Sequence, residues 1–215
     1  TGQAAAKGPR FAYVGTFNSA RRKARGEGLL AYRIDPESGR WARVQVLGRE
    51  VNPSYLAIDP TRPVLYAVHP EANQVSAFSI NDATGELTLL NRQSCGGDNP
   101  VHLALDATGR FLVVANYGSG SVAVLPVRPD GSLGGRTDLV SLTGEPGPHR
   151  TEQSVPHPHH CPFDASGRFV LDGRPWKAHG VNYMPSSGIA LSSGEEFEHW
   201  IDRAAYGPEI VERDL

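Results

Sequence analysis

Short runs of apolar residues alternate with polar turn clusters along most of this chain. Residues 64–68 and 111–115 are almost wholly apolar, and each is followed, after a polar turn, by a second apolar run at residues 75–78 or 122–125. Runs of this length between clusters of Gly, Pro, Asn and Asp predict β-strands joined by tight turns. Helical periodicity is hard to find before residue 190. The pattern predicts an all-β fold for the first three-quarters of the chain.

The strand pattern is also repeated. Residues 52–59, Asn-Pro-Ser-Tyr-Leu-Ala-Ile-Asp, recur as residues 99–106 and, less closely, as residues 157–164, with an inserted loop before the last copy. A period of roughly 40–50 residues made of several short strands is typical of a β-propeller blade. We therefore predict a mainly β fold, with about three four-stranded blades of a partial β-propeller over residues 1–170.

A partial copy near the start of the chain makes this prediction specific. Residues 29–39 align with residues 75–85, so residues 29–34 and 75–80 are expected to occupy equivalent strands of their sheets. Asp, Asn, Pro and Gly mark the turns that follow these strands. Three hairpin tips are therefore predicted to be equivalent: residues 36–39, 82–85 and 129–131.

The repeat stops near residue 170. Residues 195–201 and 208–215 instead place acidic residues ahead of apolar ones at i, i+3 and i+4, which predicts short helices. We therefore assign residues 1–170 to the propeller and residues 171–215 to a short α/β segment of different architecture.

Composition and charge restrict the function classes. A net charge of −2 gives no electrostatic reason to expect nucleic acid or an anionic membrane as partner. No stretch approaches the roughly 18 apolar residues of a membrane span. We therefore expect a soluble protein. The chain starts with Thr1 rather than Met, which predicts either export after removal of a signal peptide or a fragment of a longer protein, and a cytoplasmic location stays open. The basic run at residues 21–25 predicts a solvated loop, with anion binding as the alternative.

Several motifs, in order and at the right spacing, resemble the lactonase family of seven-bladed β-propellers, typified by 6-phosphogluconolactonase. The resemblance covers about residues 10–170 and implies hydrolysis of a small-molecule sugar lactone by activated water, without a cofactor. The motifs that carry it are residues 13–17, 52–56, 65–68, 115–122 and 156–159.

Lactone hydrolysis needs a base to activate water and a donor for the carbonyl oxygen as it becomes anionic. His157 and His159 are two apart on a predicted inner strand and should share a face, whereas His160 should point away. We predict His157, His159 and Glu152 as catalytic residues, with Arg150 as a substrate-binding residue. A structural role for the histidines, which often satisfy buried backbone groups, is the alternative.

Two further substrate-binding candidates, Asn116 and His102, lie within the repeated motifs that carry the resemblance. We expect no metal site, because His160 faces away from its neighbours and no carboxylate or thiol completes the set nearby. Glu152 stands where the family usually carries a basic residue. The loss of that cation predicts that unphosphorylated lactones are better substrates than phosphorylated ones.

A second resemblance concerns residues 173–183, which are similar to the first hairpin and strand of (β/α)₈ glycoside hydrolases. The catalytic carboxylates of such barrels come from later strands, so no glycosidase activity is expected. The chain thus resembles a truncated mosaic, and a non-catalytic propeller fragment or binding module is the alternative function. About three blades leave two blade faces open, so we expect self-association through these faces.

Overall fold

The computed structural model describes residues 10–144, 155–163, 170–171 and 174–175. Its strands form three antiparallel sheets of three or four strands each and one two-stranded hairpin. The first sheet contains β1 (Arg10–Gly15), β2 (Leu29–Ile34) and β3 (Trp41–Leu47). The second contains β4 (Tyr55–Ile58), β5 (Val64–His69), β6 (Gln74–Ile80) and β7 (Leu87–Ser94). The third contains β8 (Pro100–Leu105), β9 (Phe111–Asn116), β10 (Ser121–Pro126) and β11 (Asp138–Ser141).

The predicted equivalence of strands is confirmed. β2 lies between β1 and β3 as β6 lies between β5 and β7. Glycines at the three predicted hairpin tips have positive φ, with values of 68° at Gly39, 77° at Gly85 and 84° at Gly131. The Gly39 and Gly85 N–H groups each donate to the carbonyl four residues earlier, whereas Gly131 donates to the carbonyl three residues earlier. The third tip is therefore one residue tighter than the other two.

The first sheet has one strand fewer than predicted among the described residues. β5 and β9 each pair with an inner strand, β4 or β8, in addition to the next strand outward. β1, which corresponds to β5 and β9, pairs only with β2 in the part of the chain that the structure describes. The open edge of β1 lies where the second and third sheets have their inner strands.

Stacking of the sheets explains the continuous apolar runs. All six residues of β5 are buried. Val64, Tyr66 and Val68 pack in one cluster with residues of the third sheet, whereas Leu65 and Ala67 pack in another with Leu29 and Phe78. Alternate side chains of β5 therefore face opposite neighbours, and burial on both faces explains why every residue of the strand before His69 is apolar. This face-to-face stacking of antiparallel sheets confirms the partial propeller.

The prediction of an inner strand at residues 157–164 is wrong for the part that is described. Residues 155–163 form no strand, because Pro156, Pro158 and Pro162 supply no N–H for a ladder. Cys161 nevertheless anchors this segment in a cluster with Val113 and Ala115 of β9.

Beyond this segment, the structure gives a short hairpin of β12 (Val170–Leu171) and β13 (Arg174–Pro175). The helices predicted at residues 195–201 and 208–215 lie outside the described residues. No helix long and apolar enough to cross a membrane occurs in the described ranges.

Candidate active site

Three aromatic rings from equivalent repeat positions touch one another. Tyr55, His102 and His160 each stand three residues after the Asn or His that opens a repeat copy. The ring centroids of Tyr55 and His102 are 4.2 Å apart, and those of His102 and His160 are 4.1 Å apart. We call these three residues the ring column. It connects the inner strands β4 and β8 to the segment at residues 155–163, so His160, predicted to face away from its neighbours, makes a contact of its own.

His102 lies in the middle of the ring column, and its tautomer follows from its hydrogen bonds. The Cys161 backbone N–H, which can only donate, lies 3.3 Å from His102 Nδ1, and Cys161 Sγ lies 3.0 Å from the same atom. Nδ1 is therefore an acceptor, and the ring proton is on Nε2. Burial, together with the nearby His160 and His159, lowers the pKa of His102 to about 4. His102 is thus a neutral imidazole at pH 7.

His157 has the opposite tautomer. Its Nδ1 lies 2.7 Å from the Tyr117 carbonyl oxygen. A carbonyl can only accept, so the His157 proton is on Nδ1 and the lone pair is on Nε2. The imidazole also stacks on the Tyr117 ring, with centroids 4.3 Å apart and planes at 16°. These two contacts fix the orientation of the half-buried His157 imidazole.

His159 contacts the same tyrosine ring as His157. Its ring meets Tyr117 edge-on, with a centroid distance of 5.5 Å. The predicted common side of His157 and His159 is therefore confirmed by a shared partner, while His160 turns to His102. His159 and His160 are both exposed. The two histidines that contact Tyr117 and the ring column form one connected group, which we call the histidine cluster.

The other predicted site residues are placed differently. Asn116 is fully buried at the end of β9, where its Nδ2 donates to Ser121 Oγ at 3.2 Å and its Oδ1 has no partner among the described residues. Its contact with substrate stays a prediction. Arg150 and Glu152 lie outside the described residues.

A cavity of about 480 Å³ lies at the same end of the sheets as the histidine cluster. The Tyr117 N–H donates to the Asn99 carbonyl at 3.0 Å, which joins the cavity lining to the loop that carries the tyrosine. Cationic, acidic and amide side chains line the cavity: Arg21, Arg22, Glu71, Asn73, Asp98 and Asn99, together with Pro70. Such a lining suits a ligand with many hydroxyl groups.

The charges of this lining balance one another. Arg22 Nε lies 2.9 Å from Glu71 Oε1, and Asn73 Nδ2 donates to Asp98 at 2.8 Å. Arg21, from the basic run, makes no hydrogen bond or ion pair with any described residue. Arg21 and Arg22 are both exposed, which agrees with the predicted solvated loop. The structure adds that both arginines line the same cavity as Asp98.

A buried histidine outside the histidine cluster, His69, has hydrogen bonds that fit a purely structural role. His69 is 3% exposed, donates from Nδ1 to the Val51 carbonyl at 2.9 Å and accepts from Ser76 Oγ at Nε2, at 2.8 Å. Glu50 Oε2 lies 3.7 Å from the same Nε2. Burial lowers the pKa of His69. Both of its nitrogens are occupied within the protein, so His69 has no atom free for a substrate.

Tyr55 and Tyr117 belong to the site but were not singled out in the sequence. Tyr55 aligns with His102 and His160 in the repeat, and that alignment is the signal that could have found it. Tyr117 follows β9 in a loop, and only the structure shows that two histidines contact its ring.

Comparisons with known proteins agree with this fold. The family described as "Lactonase, 7-bladed beta-propeller" matches residues 11–173. The chain is 34% identical over 161 residues to the 6-phosphogluconolactonase of Bacillus subtilis, a match that covers 74% of this chain and 44% of that protein. The 6-phosphogluconolactonase of Formosa agariphila is 29% identical over 163 residues, covering 74% of this chain and 45% of that protein.

Solved structures give the same result. The periplasmic gluconolactonase PpgL of Pseudomonas aeruginosa superimposes with a TM-score of 0.65 at 27% identity, covering 74% of this chain and 45% of that chain. This chain therefore spans less than half the length of the relatives it matches.

Proposed function

Because this chain belongs to the lactonase family of seven-bladed β-propellers, we propose that it contributes the catalytic histidines of an enzyme that hydrolyses sugar lactones. One observation carries this proposal. His157 has its proton on Nδ1, held by the Tyr117 carbonyl at 2.7 Å, which leaves Nε2 as a base. An imidazole whose Nδ1–H is held by a carbonyl presents Nε2 to the solvent side, and histidine is the side chain most often used to activate water.

The proposed reaction uses His157 first as base and then as acid. Water attacks the lactone carbonyl carbon while His157 Nε2 takes one of its protons. The carbonyl oxygen becomes anionic, and the carbon–oxygen bond of the ring then breaks as Nε2 returns the proton to the ring oxygen. The product is a hydroxy acid, which releases a proton on ionisation. His159, exposed beside the same tyrosine, is proposed to hold the substrate or the attacking water.

The proposed substrate class is an unphosphorylated sugar lactone. Glu152 takes the place of a basic residue in the family pattern. The cavity offers no surplus of positive charge, because its lining contains two arginines and two carboxylates, Glu71 and Asp98. A doubly charged phosphate needs such a surplus, whereas hydroxyl groups bind well to amides and balanced charges.

We also propose that a second copy of the chain completes the site. The edge of β1 has no inner strand among the described residues, and an unpaired strand edge pairs readily with another chain. A pocket lined from one side only leaves the substrate in water, where positioning and charge stabilisation are weak. Turnover is therefore expected to depend on assembly.

The test is a pH-stat assay of lactone opening over a series of chain concentrations, with sedimentation velocity on the same samples. Glucono-δ-lactone and its 6-phosphate are the two substrates. We expect opening above the spontaneous rate, a specific activity that rises as the chain assembles, and preference for the unphosphorylated lactone. Lactone opening no faster than in buffer alone, at every chain concentration, would disprove the proposed enzymatic activity. Saturable lactone binding without turnover would identify a binding module instead.

A further inference from the structure

We propose that His102 is the hydrogen-bond donor that stabilises the lactone carbonyl oxygen as it becomes negatively charged. The proposal rests on the function proposed above and replaces the general substrate-binding role predicted for His102 with a defined catalytic one. The donating atom is Nε2, and the group that fixes it is the backbone N–H of Cys161.

The tautomer of His102 is set from inside the protein. Cys161 is 1% exposed, and its N–H reaches His102 Nδ1 at 3.3 Å. With Nδ1 occupied as an acceptor, the neutral ring carries its proton on Nε2. His102 is 4% exposed. Nε2 makes no hydrogen bond among the described residues, and it is not one of their fully buried side-chain atoms that lack a partner. Nε2 is therefore the ring nitrogen that remains for a contact with substrate.

The ring is also held on its sides. Tyr55 packs against it with a 4.2 Å centroid distance and an interplanar angle of 47°, and His160 meets it at 4.1 Å and 80°. A donor held by packing needs no reorientation when charge develops on the substrate, which is the condition for strong stabilisation of an oxyanion. Burial strengthens the interaction further because the surroundings screen it less than water does. Burial also keeps the ring neutral near pH 7, so the Nε2 proton stays in place.

Lactone opening needs one group that accepts a proton from water and one group that donates a hydrogen bond to the carbonyl oxygen. His157 presents a lone pair at Nε2 and His102 presents an N–H at Nε2, because their Nδ1 atoms face a carbonyl acceptor and an amide donor, respectively. His159 touches the ring of Tyr117, as His157 does, and its neighbour His160 touches the ring of His102. One acceptor and one donor within the histidine cluster supply a base for water and a partner for the carbonyl oxygen.

Two amide substitutions separate this role from a structural one. His102→Gln places an amide N–H near the former Nε2 and loses the acceptor for Cys161. His102→Asn keeps an oxygen near the former Nδ1, and with it the Cys161 hydrogen bond, but loses the donor. We expect His102→Asn to remain folded with kcat lowered about 10²- to 10³-fold, and His102→Gln to retain turnover within about 10-fold of the unsubstituted chain. A merely structural histidine gives the reverse order.

A control and a spectroscopic readout make the outcome unambiguous. His69→Asn, which keeps the donor to the Val51 carbonyl, should leave kcat unchanged. Nitrogen-15 NMR of the unsubstituted chain should show the Nε2–H tautomer for His102 and the Nδ1–H tautomer for His157 and His69. An Nδ1–H tautomer of His102, or turnover unaffected by His102→Asn, would overturn the donor role alone. Absence of turnover in the unsubstituted chain would instead defeat the proposed function.

Discussion

The same repeat position is occupied by asparagine at the starts of two inner strands and by histidine after the third sheet. Asn52 and Asn99 both adopt a left-handed backbone conformation, with φ of 47° and 53°. Each donates its N–H at 3.0 Å to the side-chain oxygen of another asparagine, Asn18 or Asn73, in the loop of the preceding sheet. His157, in the third copy, instead donates from its ring to the Tyr117 carbonyl. In two copies this position connects loops of neighbouring sheets, and in the third it holds the imidazole that we propose as the base.

This difference shows that comparing the repeat copies within one chain can separate structural from functional positions. The side-chain oxygen of Asn52 accepts hydrogen bonds from the N–H groups of Asn18 and Ser19, at 2.8 and 3.0 Å. This oxygen is therefore occupied within the protein. His157 forms its hydrogen bond to the Tyr117 carbonyl through Nδ1 and makes no hydrogen bond through Nε2 among the described residues. Positions at which the copies carry the same residue therefore stabilise the fold. A position at which one copy carries a different residue is a candidate for a functional role.

The largest expected effect comes from restoring the asparagine in the third copy. His157→Asn should lower kcat for lactone opening by about 10²-fold or more, the usual loss on removal of a general base. The amide can still donate to the Tyr117 carbonyl, so the midpoint of thermal unfolding should stay close to that of the unsubstituted chain. Steady-state assays and circular dichroism measure the two quantities. Undiminished turnover would make His157 a structural residue like its two counterparts.

The next effect concerns pH and His102. The pKa of His102 is lowered to about 4 in the folded chain, against about 6.5 when unfolded. The unfolded chain therefore takes up a proton that the folded chain does not. Stability is complete above pH 6.5 and is lost as pH falls towards 4, by on the order of 3 kcal/mol. The lowered pKa of His69 acts in the same direction.

Urea unfolding at several pH values between 7.5 and 4.5 measures this loss. His102→Asn, which carries no titrating ring, should flatten the dependence by the share that His102 contributes. An unchanged slope in this variant would mean that His102 is not buried as the structure describes.

The smallest expected effects are losses of folding stability on substitution of Asn52 and Asn99. Asn52→Ala should destabilise the fold by about 2 kcal/mol, because it leaves the partly buried N–H groups of Asn18 and Ser19 without their acceptor and places alanine in a left-handed conformation. Asn99→Ala should cost about 1 kcal/mol, since its main-chain bond to Asn73 survives and only the conformational strain is added. Chemical unfolding of both variants tests the order. Equal losses would contradict the unequal use of the two side chains.

The architecture was readable from sequence because it depends on local patterns. Continuous apolar runs such as residues 64–68 are dictated by burial on both faces, and Gly39 and Gly85 mark tips that need positive φ. The strand predicted at residues 157–164 is absent from the described part of that range. The prediction followed the alignment of the repeats and gave too little weight to the prolines, which cannot donate to a strand ladder.

The site was only partly readable. The shared side of His157 and His159 was predicted from strand spacing, but the segment forms no strand. Their shared side results instead from the contact of both rings with Tyr117. The contacts of His160 with His102, of Cys161 with His102 and of Arg21 with the cavity depend on how successive sheets stack. No local pattern encodes these contacts, although the alignment of Tyr55, His102 and His160 within the repeat points to the first of them.

The central claim is that the histidine cluster binds the lactone, and the most direct measurement is NMR of the histidine rings during titration with a sugar δ-lactam, a lactone analogue that resists hydrolysis. The account predicts saturable shifts of the His157 and His102 ring nitrogens, with the larger change at Nε2 of each. His69, equally buried but with both nitrogens occupied, should not move. Shifts confined to residues outside the cluster, or equal shifts at His69, would contradict it.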